Sequence, residues 1–409
     1  MSAIHGVNYG APTLDLNFAK NKSLIDTVTG RNLVTFTRSQ TARGATYVGA
    51  DGLIKTAAAN EPRFDHNPTT GESLGLLVEE ARTNLRTLST DFSSGWGFND
   101  NVTIASGQTS PTGDSTASLV TINAGTFVAR IGEKFVSGGT VYTRSLFVKK
   151  TNQRYIWCGD QNNGNYSPNY RFDLDLGTGT VVSGGGFNSG FLITPFSNGY
   201  YRISVSCSSG DIFTWTANNN ASINPLNFST GNVFHNGTES FIVWGYQVET
   251  GAFPTSYIPT TSATVTRAAD VASITGTNFS SWYNQSQGTW FVDFANDAAK
   301  HNSGFDGVLS LDTNTPRIIG SLIVGFGGES AISPVSARQK VGLAYGTTEG
   351  RSFNGTISSG SGGTVSSRTQ VRIGTGAVTA PNYELSTTIN RLTYWPTRLQ
   401  DFQLQQLTK

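Results

Sequence analysis

Carboxylates at strand spacing are the first candidates for chemistry in this chain. Asp173 and Asp175, in RFDLDLGTG, are two residues apart, the spacing that sets side chains on one face of a strand. Two carboxylates about 5–10 Å apart across a scissile bond are what glycoside hydrolysis needs. This pair runs into a Gly-Thr-Gly turn, and Phe172, Leu174 and Leu176 mark the core face beside it. The pattern predicts a solvated strand face rather than a catalytic pair. Glu79 and Glu80 are adjacent, so a strand sends them to opposite faces; Arg82 or a neighbouring chain is their expected partner. His5, His66, His235 and His301 are scattered without metal-ligand spacing. A Walker loop and HExxH are absent. No catalytic residue is assigned, and the expectation is that the chain is not an enzyme.

Binding chemistry has more material. Sugars pack their C–H groups on aromatic faces, and short planar polar side chains read their hydroxyls. Residues 154–170, RYIWCGDQNNGNYSPNY, hold that inventory. Trp157, Tyr166 and Tyr170 supply rings, and Asp160, Asn162, Asn163 and Asn165 supply a carboxylate and amides in what reads as a long turn. The alternative is that Trp157 is core and 160–169 is a hairpin loop whose rings cover an edge. Residues 217–220, after Trp215, form a second candidate loop, whereas Trp244 in FIVWGYQVE alternates with apolar neighbours and reads as core. Oxygen-rich turns around Asp297 and Asp306 are the calcium candidates, without EF-hand spacing; no other cofactor or metal is expected.

These residues must be positioned by strands. The chain has 409 residues, which suggests two or three domains. It has 47 Gly, and the Gly, Asn and Ser clusters punctuate short runs rich in β-branched and aromatic residues, so the fold class is all-β, with two β-sandwich or jelly-roll domains. Strands are expected over residues 140–149, 200–207, 241–248, 289–294, 317–324 and 387–394, with a loop at 358–363. A loose apolar stripe of Leu399, Phe402, Leu404 and Leu407 predicts a short C-terminal helix, and a turn is expected at 279–283. Lys plus Arg is 28 against 27 Asp plus Glu, which excludes a strongly basic nucleic-acid binder. No run approaches the roughly 18 apolar residues that span a bilayer, so no membrane insertion is expected. Cys158 and Cys207 read as two buried thiols, with a single bridge as the alternative.

Composition divides the chain into residues 1–85, 86–261 and 262–409. The first segment is too poor in strands for a core of its own, so it is expected to complete the sandwich of the third, leaving the second as an insertion. Residues 1–12 read as an anchor.

Residues 33–85, LVTFTRSQTARGATYVGADGLIKTAAANEPRFDHNPTTGESLGLLVEEARTNL, closely resemble a segment of virion structural proteins of tailed phages, marine and cyanobacterial ones in particular. The next segment has TDFSSGW, YTRSLFVKK, GYYRISVS and VWGYQVETGAFPTSYIPT, and is similar to carbohydrate-binding-module-like jelly rolls of phage tail fibres and spikes. The third has GTWFVDF, QKVGLAYG, VRIG and INRLTYWPTRLQDFQLQQLT, and resembles a concanavalin A-like (laminin-G-like) sandwich. The resemblance implies a tail fibre or appendage, assembled in a host cytoplasm and carried on the virion. Other virion proteins, a host-surface glycan and further copies of the chain, as a trimer, are the implied partners. Capsid-surface decoration, a structural adaptor and a polysaccharide depolymerase are the alternatives.

Overall fold

The computed structural model describes all residues except 1–2, 5–6, 40–43, 95–96, 135–139, 163–164, 184–190, 208–211, 219–232, 297–306, 313–316, 320–321, 326–327, 332–336, 362–366 and 376–385; beside some of these it describes the backbone alone. The fold is all-β, with two sandwiches.

The middle of the chain forms two six-stranded antiparallel sheets. One runs Phe98–Asp100, Arg130–Lys134, Ile212–Asn218, Tyr155–Asn162, Asn165–Asp173, Thr178–Ser183. The other runs Val102–Gln108, Ala117–Ile122, Ser240–Thr250, Tyr142–Lys150, Tyr200–Cys207, Phe191–Pro195. Between them lies a core that includes Leu146, Val148, Ile156, Cys158, Tyr170, Ile203, Val205 and Trp215. The strand Tyr142–Lys150 shows how this is encoded. Leu146 and Val148 enter that core, whereas Phe147, between them, points away and is still 1% exposed. Both faces of this sheet are therefore covered.

The covering comes from the N-terminal segment, which is shared between the two sandwiches. Strands Leu14–Leu16 and Ser73–Val78 both pair with Thr387–Trp395, and Thr35–Thr37 pairs with Val271–Thr275. Leu14, Leu16, Phe18, Phe36, Leu76 and Val78 thus enter one core with Trp290, Val341 and Leu392. Gly75 permits the approach of Ser73–Val78: its φ is +99°, and a Cβ there would stand 2.1 Å from the Ile389 carbonyl oxygen. The chain leaves this sandwich after Val78, builds the middle one and returns at Val271, in the other sheet. The ribbon of Arg82–Asn84 and Val265–Arg267 ties the outgoing and returning strands together. The hairpin Thr46–Val48/Ile54–Thr56 instead packs on the middle sandwich, where Ile54 joins Phe147, Phe196, Trp244 and Tyr257.

The helix Asp401–Leu407 forms where a terminal helix is expected, and Leu404 and Leu407 are buried. Phe402 is 60% exposed, because at 3.6 residues per turn it lies across the helix from Leu404. A short helix, Gly276–Ser280, buries Phe279 at the expected turn. The run expected as one strand over 317–324 is a hairpin of Arg317–Ile319 and Leu322–Gly325. Thr356–Ser361 is a strand that runs into the expected loop, since Ser and Gly bond through their backbones as readily as apolar residues do.

Candidate functional site

The sugar-binding stretch folds as a hairpin. Strands Tyr155–Asn162 and Asn165–Asp173 pair closely, so most of the expected long turn is strand. Tyr170 is 1% exposed and faces the core between the sheets. Trp157 faces the other way, yet is also 1% exposed, and the Arg171 guanidinium lies 5.6 Å from its ring centre. Neither ring has a free face for a sugar, which corrects that part of the expectation. The side chains of Asp160, Asn162, Asn163, Asn165 and Tyr166 lie outside the described residues, as do Asp297, Asp306 and the Cys207 thiol. In the second candidate loop, Ala217 is core; the side chains of 218–220 lie outside the described residues. Trp244 is buried. Among the described residues no cluster of His, Cys, Asp and Glu could hold a metal.

Asp173 is held in an ion pair. Arg154 grips it with Nε at 3.0 Å from Oδ1 and Nη2 at 2.7 Å from Oδ2, and it accepts the Asp175 and Leu176 N–H groups. The Arg154 bond leads in holding its carboxyl below the usual range, with desolvation opposing. Asp175 pairs with Lys150. Leu176 is 66% exposed because the chain has already entered the turn, which removes it from the expected core face.

Polar groups converge instead at the seam between the two sandwiches. Glu80 pairs with Arg82, as the sequence suggests. Glu79 turns inward. It accepts from Arg63 Nη1 at 2.7 Å, from the Ser256 N–H at 2.7 Å and from Ser256 Oγ at 2.6 Å, with Arg267 Nη1 at 2.9 Å. Asp270 binds Arg38 Nη1 at 2.9 Å, accepts the Glu79 N–H at 3.0 Å and pairs with Arg63. Arg38, Arg63, Arg267, Glu79 and Asp270 are all buried. Burial pushes the Glu79 carboxyl up, but Arg267, Arg63 and Ser256 outweigh it and hold the group well below the carboxylate range. A buried charge that keeps its charge must be paired; here the charged groups lie on and beside strands of the last sandwich and on the ribbon strand Val265–Arg267, and Ser256, in the chain leaving the middle sandwich, adds the hydrogen bonds on that side. The signal was present in sequence as Arg and acidic residues inside apolar runs, FTR, RFDH, VEE and VTRAAD.

Beside this network lies a cavity of about 240 Å³. Its floor is the outer face of the middle sheet. Phe147, Arg202 and Thr194 are directly opposite one another on neighbouring strands, and Ser204 and Leu192 form the next row. Its roof is N-terminal: Thr46–Val48, Ile54, Asp65, His66, Leu74, Leu77 and Glu79. His66 is 4% exposed; Nδ1 lies 2.9 Å from the Val48 carbonyl oxygen, and Nε2 is buried with no hydrogen-bond partner. Arg202 donates Nη1 to the Thr255 carbonyl at 2.7 Å and Nη2 to Ser145 Oγ at 2.9 Å; its Nε is likewise buried and unpartnered. Neither His66 nor Arg202 was singled out as a site residue from sequence, because each strand there carries only half of the wall.

No protein-family model and no curated protein matches the chain. Among solved structures it is similar to a Trypanosoma rangeli sialidase in complex with sialic acid, at 11% identity and a TM-score of 0.24, over 71% of this chain and 60% of that one. It is also similar to the same sialidase in complex with 2,3-difluorosialic acid as a covalent intermediate, at 12% identity and a TM-score of 0.25, over 76% of this chain and 61% of that one. The chain thus spans about 60% of the length of these structures. At this level of likeness, nothing of the sialidases' chemistry transfers.

Proposed function

We propose that the chain is a structural protein of a tailed-phage virion, a tail fibre or other appendage that meets the host surface and works by adhesion. In this reading the middle domain is a carbohydrate-binding-module-like jelly roll and the last a concanavalin A-like sandwich, repeated in a homotrimer. One observation supports it above the others. The residues with phage-like wording, 33–85, supply Arg38, Arg63 and Glu79 to a buried ion network at the seam, where Glu79 also accepts from Ser256 of the chain leaving the middle sandwich. A rigid two-domain unit suits a part that transmits force between a particle and a cell. The depolymerase reading needs carboxylates facing each other across a cleft; Glu79, Asp270 and Asp173 are instead spent on arginines. Capsid-surface decoration is the second reading, because the same rigidity serves it.

The test is immunogold electron microscopy of intact phage with antibody to residues 90–409. Label on the tail is the expected result. Label on the head transfers the protein to the capsid surface, and particles without label overturn the virion reading.

A further inference from the structure

We propose that the strand Val102–Gln108, at the edge of the middle sandwich, is a self-complementary surface on which a second copy of this chain pairs strand to strand across a twofold axis. The inference does not depend on where the protein is carried, and the contact is separate from the threefold one of the reading above.

An edge strand turns every second N–H and C=O outward, where an extended chain can take them up. Natural sheets blunt such edges with charges, proline, short strands or covering loops. Three other edges here are managed in that way. Phe98–Asp100 is three residues long, and Asp100 pairs with Arg130. Phe191–Pro195 ends in a proline whose carbonyl accepts from Thr69 Oγ1 at 3.0 Å. Beside Arg63–His66, Asp65 Oδ1 accepts the Val48 N–H at 2.6 Å. Val102–Gln108 ends its sheet beside Ala117–Ile122, and no described strand lies on its other side. Residues 101–110, NVTIASGQTS, carry neither charge nor proline. The one protective device is a bulge between Ser106 and Gln108, where Gly107 takes a φ of +99°. It leaves Val102–Ser106 as the regular run.

That run fits a copy of itself. A twofold axis through Ile104, normal to the sheet, sets Ile104 against Ile104, Thr103 against Ala105 and Val102 against Ser106. Val102 and Ile104 are half-buried and pack on the core between the sheets, so a partner strand completes their burial with its own apolar residues. Thr103 and Ala105 are exposed and small, which admits close approach on the other face. An uncharged edge meets its own image without repulsion, whereas a charged partner finds no opposite charge to recognise. Phe234 enlarges the contact. It is 72% exposed, opposite Thr126 on the ribbon Gly125–Phe127/Val233–His235, which starts just after Ile122, the residue paired with Val102. Antiparallel pairing brings this end of one copy to the Ser106–Gln108 end of the other, where there is open space around the Gly107 Cβ position. A pairing this short buries less than a standard interface, so the contact is weak and depends on concentration.

The experiment is sedimentation velocity of the full-length protein from about 10 µM to about 1 mM. The mass of the sedimenting unit is expected to double, with a Kd of about 0.1–1 mM. Thr103→Lys combined with Ala105→Lys sets lysines opposite one another from exposed positions. It should weaken the doubling by about tenfold or more while circular dichroism stays as in wild type. On mild oxidation Ile104→Cys should give disulfide-linked pairs, because that residue meets itself, and Ser106→Cys, which meets Val102, should not. No doubling by about 1 mM, doubling untouched by the two lysines, or Ser106→Cys linking as readily as Ile104→Cys would each overturn the proposal. Pairing of the edge by an extended peptide of unrelated sequence, without doubling, would overturn it as well and give the surface to a different chain.

Discussion

Replacing Glu79 by glutamine removes the negative charge on which both sandwiches converge. Glutamine keeps one acceptor oxygen but sets an N–H₂ among the Arg63, Arg267 and Ser256 donors that the carboxylate satisfied. Arg63 retains Asp270, whereas Arg267 loses the Glu79 carboxylate and remains buried. Breaking a buried pair from one side costs about 3–5 kcal/mol, mostly through the orphaned charge. At about 2–4 °C per kcal/mol for a domain of this size, Tm falls by about 6–20 °C in scanning calorimetry at pH 7. Glu79→Leu combined with Arg267→Met removes both charges and should cost less than the sum of the single changes. The acid side gives a second readout. The folded carboxyl lies well below its ordinary value of 4.5, so between the two values the unfolded chain binds the extra proton. Wild-type stability from this group is therefore complete above that value and is lost as pH falls from about 5 downward; Glu79→Gln flattens this part of the decline. A Tm within about 2 °C of wild type at pH 7, with an unchanged acid limb, would refute the idea that the network holds the seam.

Gly75→Ala should cost more than about 2 kcal/mol in urea unfolding, because its Cβ meets the Ile389 carbonyl and its φ is +99°; wild-type stability would show that Ser73–Val78 does not lie in this sheet. Trp157→Ala should cost about 3–5 kcal/mol, as for other fully buried large side chains. Lost glycan binding with unchanged stability would instead return that ring to the surface.

The alternation and density of apolar residues were enough to locate five of the long strands, but not Tyr155–Asn162, Asn165–Asp173 or Ala337–Tyr345. Those expected near 140–149, 241–248, 289–294 and 387–394 appear as Tyr142–Lys150, Ser240–Thr250, Gly288–Asn296 and Thr387–Trp395, and Tyr200–Cys207 coincides with its expected range. Period-two patterning is local, carried by a few consecutive residues, and so it survives without knowledge of the rest of the chain. The same locality explains the misreading of residues 154–170. Their rings and amides match a sugar site by type, but whether the outer face of a sheet is open depends on what distant chain lies over it. Trp157 is closed off on that face, and Phe147 on the other sheet is covered by a hairpin about 90 residues earlier.

What the sequence by itself determined is the all-β class, the run of strands and turns, and the chemical supply of arginines and carboxylates in FTR, RFDH, VEE and VTRAAD. Only the tertiary structure decided their use. It brings Arg38 to Asp270 and Asp15 to Arg391, pairs 232 and 376 residues apart along the chain. It also brings His66 and Arg202 to the lining of one cavity. The reason is physical: a strand specifies its own two faces, while the neighbour that desolvates each face is chosen by the packing of the whole chain.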